Sequence, residues 1–268
     1  MERITSLQNE RVKAAVKLRD RKGRDKQSRI AIDGTREIRR AFDAGVEFQE
    51  VFTCESLIST PESQELLSQI NEQRLNRFEV TETVWDKLAF GNRRDGLFVV
   101  AKGPTKSLDD IPSRNNAFIV VLDGVEKPGN IGAVIRTADG AGADAVILTN
   151  AGTDTYNPNA IRASLGTIFC LPVVSAGIQE TVAWLQAQKI GIQLAIVNDA
   201  TVSYTECDFC CSTAVVFGSE ANGIHEQWTT YQDCQAMHLP MRGQADSLNV
   251  SAATAAVLYE IVRQRNDA

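Results

Sequence analysis

Three segments in the second half of the chain carry residues that could do chemistry. In Glu126-Lys127-Pro128-Gly129-Asn130-Ile131-Gly132-Ala133-Val134-Ile135-Arg136, a breaker-rich turn follows an apolar run and leads into a helical pattern. Glycines let the backbone approach a ligand closely, and the free N–H groups at a helix start can meet an anion. Asn130 and Arg136 add a neutral polar group and a permanent cation. A dinucleotide loop needs G-x-G-x-x-G. Only Gly129-x-x-Gly132 is present, which argues against a nicotinamide oxidoreductase. On this segment alone, Arg136 is equally a structural ion-pair partner. The second segment, Val215-Val216-Phe217-Gly218-Ser219-Glu220-Ala221-Asn222-Gly223, runs an apolar strand into a glycine-framed turn with one carboxylate. The third, Leu239-Pro240-Met241 through Asp246-Ser247-Leu248-Asn249-Val250-Ser251, ends in a helix rich in alanine. Ser247, Asn249 and Ser251 stand at its start. Capping accounts for one short polar side chain there; three are more than capping requires.

Charge is unevenly spread. The chain of 268 residues has a net charge of −6. Residues 1–40, however, hold 13 of the 28 Lys and Arg and only 6 of the 34 Asp and Glu. Such a local excess is the footprint of a nucleic-acid patch, and Arg19, Arg21, Lys22 and Arg24 lie in its densest part. The competing reading is a solvated charged helix. Two histidines and a lone C-x-x-C within Cys207, Cys210 and Cys211 do not supply the second ligand pair of a zinc site. No metal is expected, and the cysteines read as reduced thiols. No apolar run reaches the ~18 residues of a membrane span, and the N-terminus has no apolar signal region. These features predict a soluble cytoplasmic protein without membrane association.

The elements that must position these segments fall into two groups. Residues 5–19 read as a helix with Ser6 as its N-cap, 19–26 as a basic turn, and 29–33 as a strand. A helix follows at 37–44. Strands at 50–53, 77–80 and 97–101, with helices at 62–74 and 82–89, complete a small α/β/α unit over 1–102. The breaker-rich stretch 103–116 reads as a linker. From 117 to 268, continuous apolar runs at 117–122 and 145–148 alternate with helical patterns. Further strands are expected at 171–174, 192–197, 213–217 and 234–239, and a terminal helix at 248–264. That is an α/β domain with a doubly wound, mostly parallel sheet.

Taken together, in this order and at this separation, the three segments resemble the motifs of the SPOUT class of methyltransferases, specifically the SpoU/TrmH family of RNA ribose 2′-O-methyltransferases. The third motif, Ser247-Leu248-Asn249-Val250-Ser251, matches the family pattern without departure. Lys22-Gly23-Arg24 and Ile32-Asp33-Gly34-Thr35-Arg36-Glu37 resemble the ribosomal-protein-L30e-like substrate-binding domain found in the family, and add Arg36 to the RNA-binding candidates. Asp33-Gly34-Thr35 departs from the Glu-Gly-Pro of many relatives, which weakens any inference about which RNA is bound.

The resemblance implies a deep trefoil knot in the second domain, with S-adenosylmethionine (SAM) held in the knot largely by backbone groups at Gly218, Leu239, Met241 and Leu248. It implies catalytic positions at Arg136, Asn130, Glu220, Ser247 and Asn249, and a homodimer in which Arg136 lies close to the partner's cofactor. It implies methylation of a ribose 2′-hydroxyl in structured RNA. Ribosomal RNA of the 23S type is favoured over tRNA, because the compact tRNA enzymes of the family tend to lack the first domain. An antibiotic-resistance rRNA methylase and a non-catalytic RNA-binding protein with an inactive knot are the alternatives.

Overall fold

The structure is a computed structural model that describes every residue except Met1, Arg74, Asn92, Thr153, Asp199, Ala200 and Ala268. The described chain divides into two compact units, residues 1–104 with 156–170, and residues 105–155 with 171–268.

In the first unit, strand β1 (Glu2–Ile4) is followed by helices α1 (Glu10–Lys17) and α2 (Arg21–Gln27), strand β2 (Arg29–Asp33) and helix α3 (Thr35–Asp43). Then come β3 (Phe48–Thr53), α4 (Pro61–Asn71), β4 (Asn76–Val80), α5 (Glu82–Leu88) and β5 (Leu97–Lys102). The sheet order is β1-β4-β3-β5-β2, with β5 antiparallel to both its neighbours. The start of the chain differs from the sequence expectation. Residues 2–4 pair in parallel with β4, so the chain is extended where a helix was expected to begin soon after. Ser6 Oγ accepts from the Gln8 N–H in a local turn, and the cap falls instead to Asn9, whose Oδ1 accepts from the Arg11 N–H at 2.9 Å.

The stretch expected to be a basic turn is helix α2, and this changes the account of its arginines. Gly23 lets α2 pack on the end of α1, since a Cβ there would lie 1.9 Å from the Lys17 carbonyl oxygen. Arg24 is buried, and its guanidinium donates at 2.7 Å to the carbonyls of both Leu18 and Arg19. Arg19 Nη2 donates to the carbonyls of Lys87, Leu88 and Ala89 at 2.8, 3.2 and 2.8 Å, closing the end of α5. Helix ends leave such carbonyls without intrahelical partners, and basic side chains commonly satisfy them. Arg19 and Arg24 are therefore occupied by the fold and do not present the open cationic surface expected of them. Arg21, Lys22 and Arg36 are exposed, with Arg21 3.8 Å from Asp25 and Arg36 3.8 Å from Glu37. Charge-assisted hydrogen bonds contribute about 1.5–3 kcal/mol each when buried. Arg24→Ala removes two of them and is accordingly expected to lower stability by at least about 1.5–3 kcal/mol. The salt dependence of RNA binding should stay unchanged in the folded fraction. Urea unfolding and a salt titration of RNA binding check the two halves, and a flattened salt slope would return Arg24 to the RNA surface.

Helix α7 (Pro158–Ala163) packs on β2 in this same unit, although its sequence position lies beyond that of the first sheet. The corner after it is left-handed at Leu165 (φ 56°) and Gly166 (φ 87°). Arg40 Nη1 donates to the Leu165 carbonyl at 2.7 Å, and a Cβ at residue 166 would come within 2.9 Å of Glu37 Cα. Glu37 itself is buried and bound by both terminal nitrogens of Arg93, at 2.7 and 2.9 Å.

The second unit contains β6 (Phe118–Asp123), α6 (Pro128–Gly140), β7 (Ala145–Thr149), β8 (Val173–Ser175), α8 (Ile178–Ala187), β9 (Gly191–Ala195) and β10 (Val202–Ser203). It closes with β11 (Thr213–Gly218), β12 (Cys234–His238) and α9 (Val250–Asp267). Its seven strands are all parallel in the order β10-β12-β9-β11-β6-β7-β8. The unbroken apolar runs have the cause inferred from sequence, which is burial on both faces. Ile119, Val121, Ile147, Ile192 and Val216 pack against Ile178, Val182 and Leu185 of α8. Val120, Val146 and Val215, which alternate with them, are equally buried, and α6 and α9 pack on one another and touch the same strands. The two-residue strand β10 has no counterpart in the sequence expectation; two residues carry no readable period.

Helix α9 is latched at its far end. Arg265 donates to the carbonyls of Phe209, Asn116 and Cys211 at 2.9, 2.8 and 2.8 Å, and Gln264 Nε2 donates to the Cys207 carbonyl at 3.0 Å. The cysteine loop thus serves as a backbone anchor for α9. Burial pushes the Cys207 thiol up, which keeps it protonated.

Candidate active site

In open α/β sheets, ligands bind beyond the carboxyl ends of the strands, where the winding reverses. At that edge of the second unit the chain leaving β9, β11 and β12 surrounds a cavity of about 710 Å³. This size lies within the usual range for small-molecule sites, roughly 300–1,000 Å³. Gly218, Leu239, Met241 and Leu248, the four expected cofactor positions, all line it, as do Glu220 and Ser247.

Each of the loops is held by identifiable local chemistry. After β11, Ser219 and Gly223 exchange backbone hydrogen bonds at 3.0 and 2.9 Å, with Gly223 at φ 68°. A Cβ on Gly218 would fall 2.1 Å from the Gly223 carbonyl carbon, so the tight turn that carries Glu220 requires glycine there. Before α9, the Asn249 carbonyl accepts from the Ala252 and Ala253 N–H groups, and its Oδ1 accepts from the Ser251 N–H and hydroxyl at 3.0 and 2.6 Å. Asn249 Oδ1 is therefore the cap, which leaves its Nδ2 facing outward from the helix.

That Nδ2 joins the three segments. It donates to Glu220 Oε1 at 3.2 Å, and Asn130 Nδ2 donates to the same oxygen. Asn249 Nδ2 also lies 3.5 Å from Asn130 Oδ1. The sequence candidates Asn130, Glu220 and Asn249 thus form one hydrogen-bonded cluster at the cavity rim, and Ser247 stands exposed beside it on the cavity wall. Arg136 does not join them. It is exposed on α6, does not line the cavity, and makes no hydrogen bond or ion pair with any described residue.

Sequence reasoning missed three contributors. Asp123 closes β6 and is buried; its carboxylate accepts from Thr149 Oγ1 at 2.8 Å, Asn150 Nδ2 at 3.1 Å and the His225 N–H at 2.7 Å. It therefore fixes the turn after β11 to the ends of β6 and β7. The signal was one carboxylate ending an apolar run. The segment Ala195–Asn198 forms one cavity wall, and His238, whose Nδ1 lies 3.3 Å from Thr201 Oγ1, forms part of another. Val197 is 75% exposed and Leu248 44% exposed. Apolar side chains left so open at a cavity mouth fit an apolar or aromatic ligand surface. Among the described residues no group of three or more His, Cys, Asp or Glu is placed to hold a metal ion, and no helix is long and apolar enough to cross a membrane.

The SpoU rRNA Methylase family matches residues 117–259, and an MRM3-like substrate binding domain matches residues 9–98. A 23S rRNA (uridine(2479)-2′-O)-methyltransferase of Streptomyces viridochromogenes is 36% identical over 63% of this chain and 60% of its own length. A 23S rRNA (adenosine(1067)-2′-O)-methyltransferase of Streptomyces azureus is 33% identical over 85% of this chain and 84% of its own. The crystal structure of the SpoU methyltransferase AviRb from Streptomyces viridochromogenes, in complex with AdoMet, superposes with a TM-score of 0.87 at 28% identity, covering 97% of this chain and 99% of that one.

Proposed function

Because this chain belongs to the SpoU rRNA methylase family, we propose that it transfers a methyl group from SAM to a ribose 2′-hydroxyl of 23S ribosomal RNA, acting as a cytoplasmic homodimer. The observation that carries this reading is the convergence of Asn130, Glu220 and Asn249 at the rim of a cavity lined by Gly218, Leu239, Met241 and Leu248. The two named relatives act on the 2′-oxygen of different nucleosides, a uridine and an adenosine. The shared chemistry is therefore the ribose, and the target nucleotide is not transferred from them.

When bound, SAM supplies an electrophilic methyl group on a sulfonium, so the acceptor needs activation but no metal. The cavity suits an adenosyl group: its mouth leaves Val197 and Leu248 uncovered, and its walls are loop segments rich in backbone donors and acceptors. A trefoil knot, as the family resemblance implies, accounts for residues 239–248 lying beside the segment after β9. Ser247 and the Asn130–Glu220–Asn249 cluster hold the ribose. A neutral hydroxyl is a weak nucleophile, and its proton must leave as the new C–O bond forms. The Arg136 guanidinium offers hydrogen-bond donors and no acceptor, so it is not the base. Its role is to clamp a neighbouring phosphate bidentately, and that phosphate or a water takes the proton. The first unit brings the exposed cations Arg21, Lys22 and Arg36 to the RNA backbone, where contacts set affinity but not sequence.

The test is direct. Titration calorimetry is expected to show SAM binding unaffected by EDTA, and 23S rRNA from a strain lacking the enzyme should accept methyl groups on ribose. Binding that EDTA abolishes, or labelled bases in place of ribose, would contradict the proposal.

A further inference from the structure

Resting on the proposed reaction, we infer that Lys127 is a further RNA-positioning residue of the active site: its ammonium group receives the phosphodiester next to the target ribose. Lys127 immediately precedes α6, and its Nζ lies 3.7 Å from Glu220 Oε1. Among the described residues this is the one ion pair that Glu220 makes. The same oxygen already accepts from Asn130 Nδ2 and Asn249 Nδ2. The lysine side chain is 71% exposed and that of Glu220 28% exposed. An open pair of this kind contributes little to stability, and the ammonium retains donors for another acceptor.

The chemistry of the substrate supplies that acceptor. In RNA the carbon bearing the 2′-hydroxyl adjoins the carbon bearing the 3′-phosphodiester. A ribose seated against Asn130, Glu220 and Asn249 therefore brings a phosphate to the rim of the cavity, next to the Glu220 carboxylate. Two anions side by side repel unless a cation stands with them. Arg136 of the same chain is nine residues further along α6, about 13 Å down the helix axis at 1.5 Å per residue. Lys127 is beside the carboxylate. Two residues further on, a Cβ on Gly129 would meet no atom within 4 Å, so the start of α6 is uncovered there.

The experiment compares wild type, Lys127→Ala and Lys127→Arg as full-length proteins, on 23S rRNA from a strain lacking the enzyme. Lys127→Ala is expected to raise the RNA KM about tenfold near physiological salt, with kcat within about threefold of wild type. The magnitude of the log–log salt slope of RNA binding should fall by about 0.7–0.9, the loss of one phosphate contact. Lys127→Arg should restore both, and SAM affinity should be equal in all three. A lower kcat with unchanged KM and slope would overturn the inference and make the lysine a partner of Glu220 alone. Unchanged values throughout would overturn it as a solvated charge. A wild-type protein that binds no SAM and methylates no rRNA would remove the proposed function and this inference together; loss confined to the variants cannot be mistaken for that result.

Discussion

Arg136→Ala is expected to lose about 10²-fold in kcat, the usual effect of losing a bidentate clamp that positions the reacting groups. SAM affinity, the dimer and thermal stability should stay at wild-type values. The structure gives the reason for this separation. Arg136 is exposed, contributes no atom to the cavity lining, and has no described partner within its own chain. A surface side chain without partners usually costs less than about 0.5 kcal/mol when removed, so it is not there for stability. Neighbours on α6 behave otherwise: Val134, Ile135 and Ala138 are fully buried. Arg136→Lys should not recover the rate, because an ammonium cannot make the paired contacts of a guanidinium. Single-turnover methylation at saturating SAM and RNA measures the effect, with calorimetry and sedimentation as controls. Near-normal turnover in the alanine variant would remove Arg136 from the mechanism.

The elements at the site were legible in the sequence because burial on both faces writes long apolar runs. Residues 117–122 and 213–217 are strands β6 and β11 within a residue at each end. The cluster of Asn130, Glu220 and Asn249 was reachable only through the resemblance. No local rule reveals that a carboxylate at 220 meets amides at 130 and 249. Where the reading failed, tertiary context won. The helix expected from residue 5 starts at Glu10 because residues 2–4 are drawn into a sheet by β4, each paired with a residue 76 positions away. The basic stretch 19–26 was read as an electrostatic surface. Two of its arginines instead spend their charge on the carbonyls that end α1 and α5, and composition does not distinguish a cap from a contact. Asp123 went unnoticed for the same reason: its three donors come from Thr149, Asn150 and His225, none near it in sequence.

The second large effect concerns the homodimer, and it is a gain of activity from two inactive proteins. In the proposed arrangement each active site combines the cavity of one protomer with Arg136 of the other. Ser247 lines the cavity from an exposed loop position, so Ser247→Trp fills the cavity without entering the sheet. Ser247→Trp and Arg136→Ala homodimers should each be inactive, the first with no cofactor site and the second with no clamp. A mixed dimer differs. The cavity of its Arg136→Ala protomer is intact and faces the native arginine of the Ser247→Trp protomer, so one of its two sites is complete. Random exchange of equal amounts makes about half of the dimers mixed, by the symmetry of a two-fold assembly. With one complete site each, the mixture should reach about a quarter of the wild-type rate. The measurement is methylation of 23S rRNA after the two variants are co-refolded or co-expressed, with mixed dimers isolated through two different affinity tags. Isolated mixed dimers should show about half of wild-type activity per dimer. If each chain instead used its own Arg136, no mixture could contain a complete site, and activity would stay at background however thoroughly the protomers exchanged. That arrangement would require Arg136 to reach the cavity from an exposed position outside its lining, which is why complementation is the outcome expected.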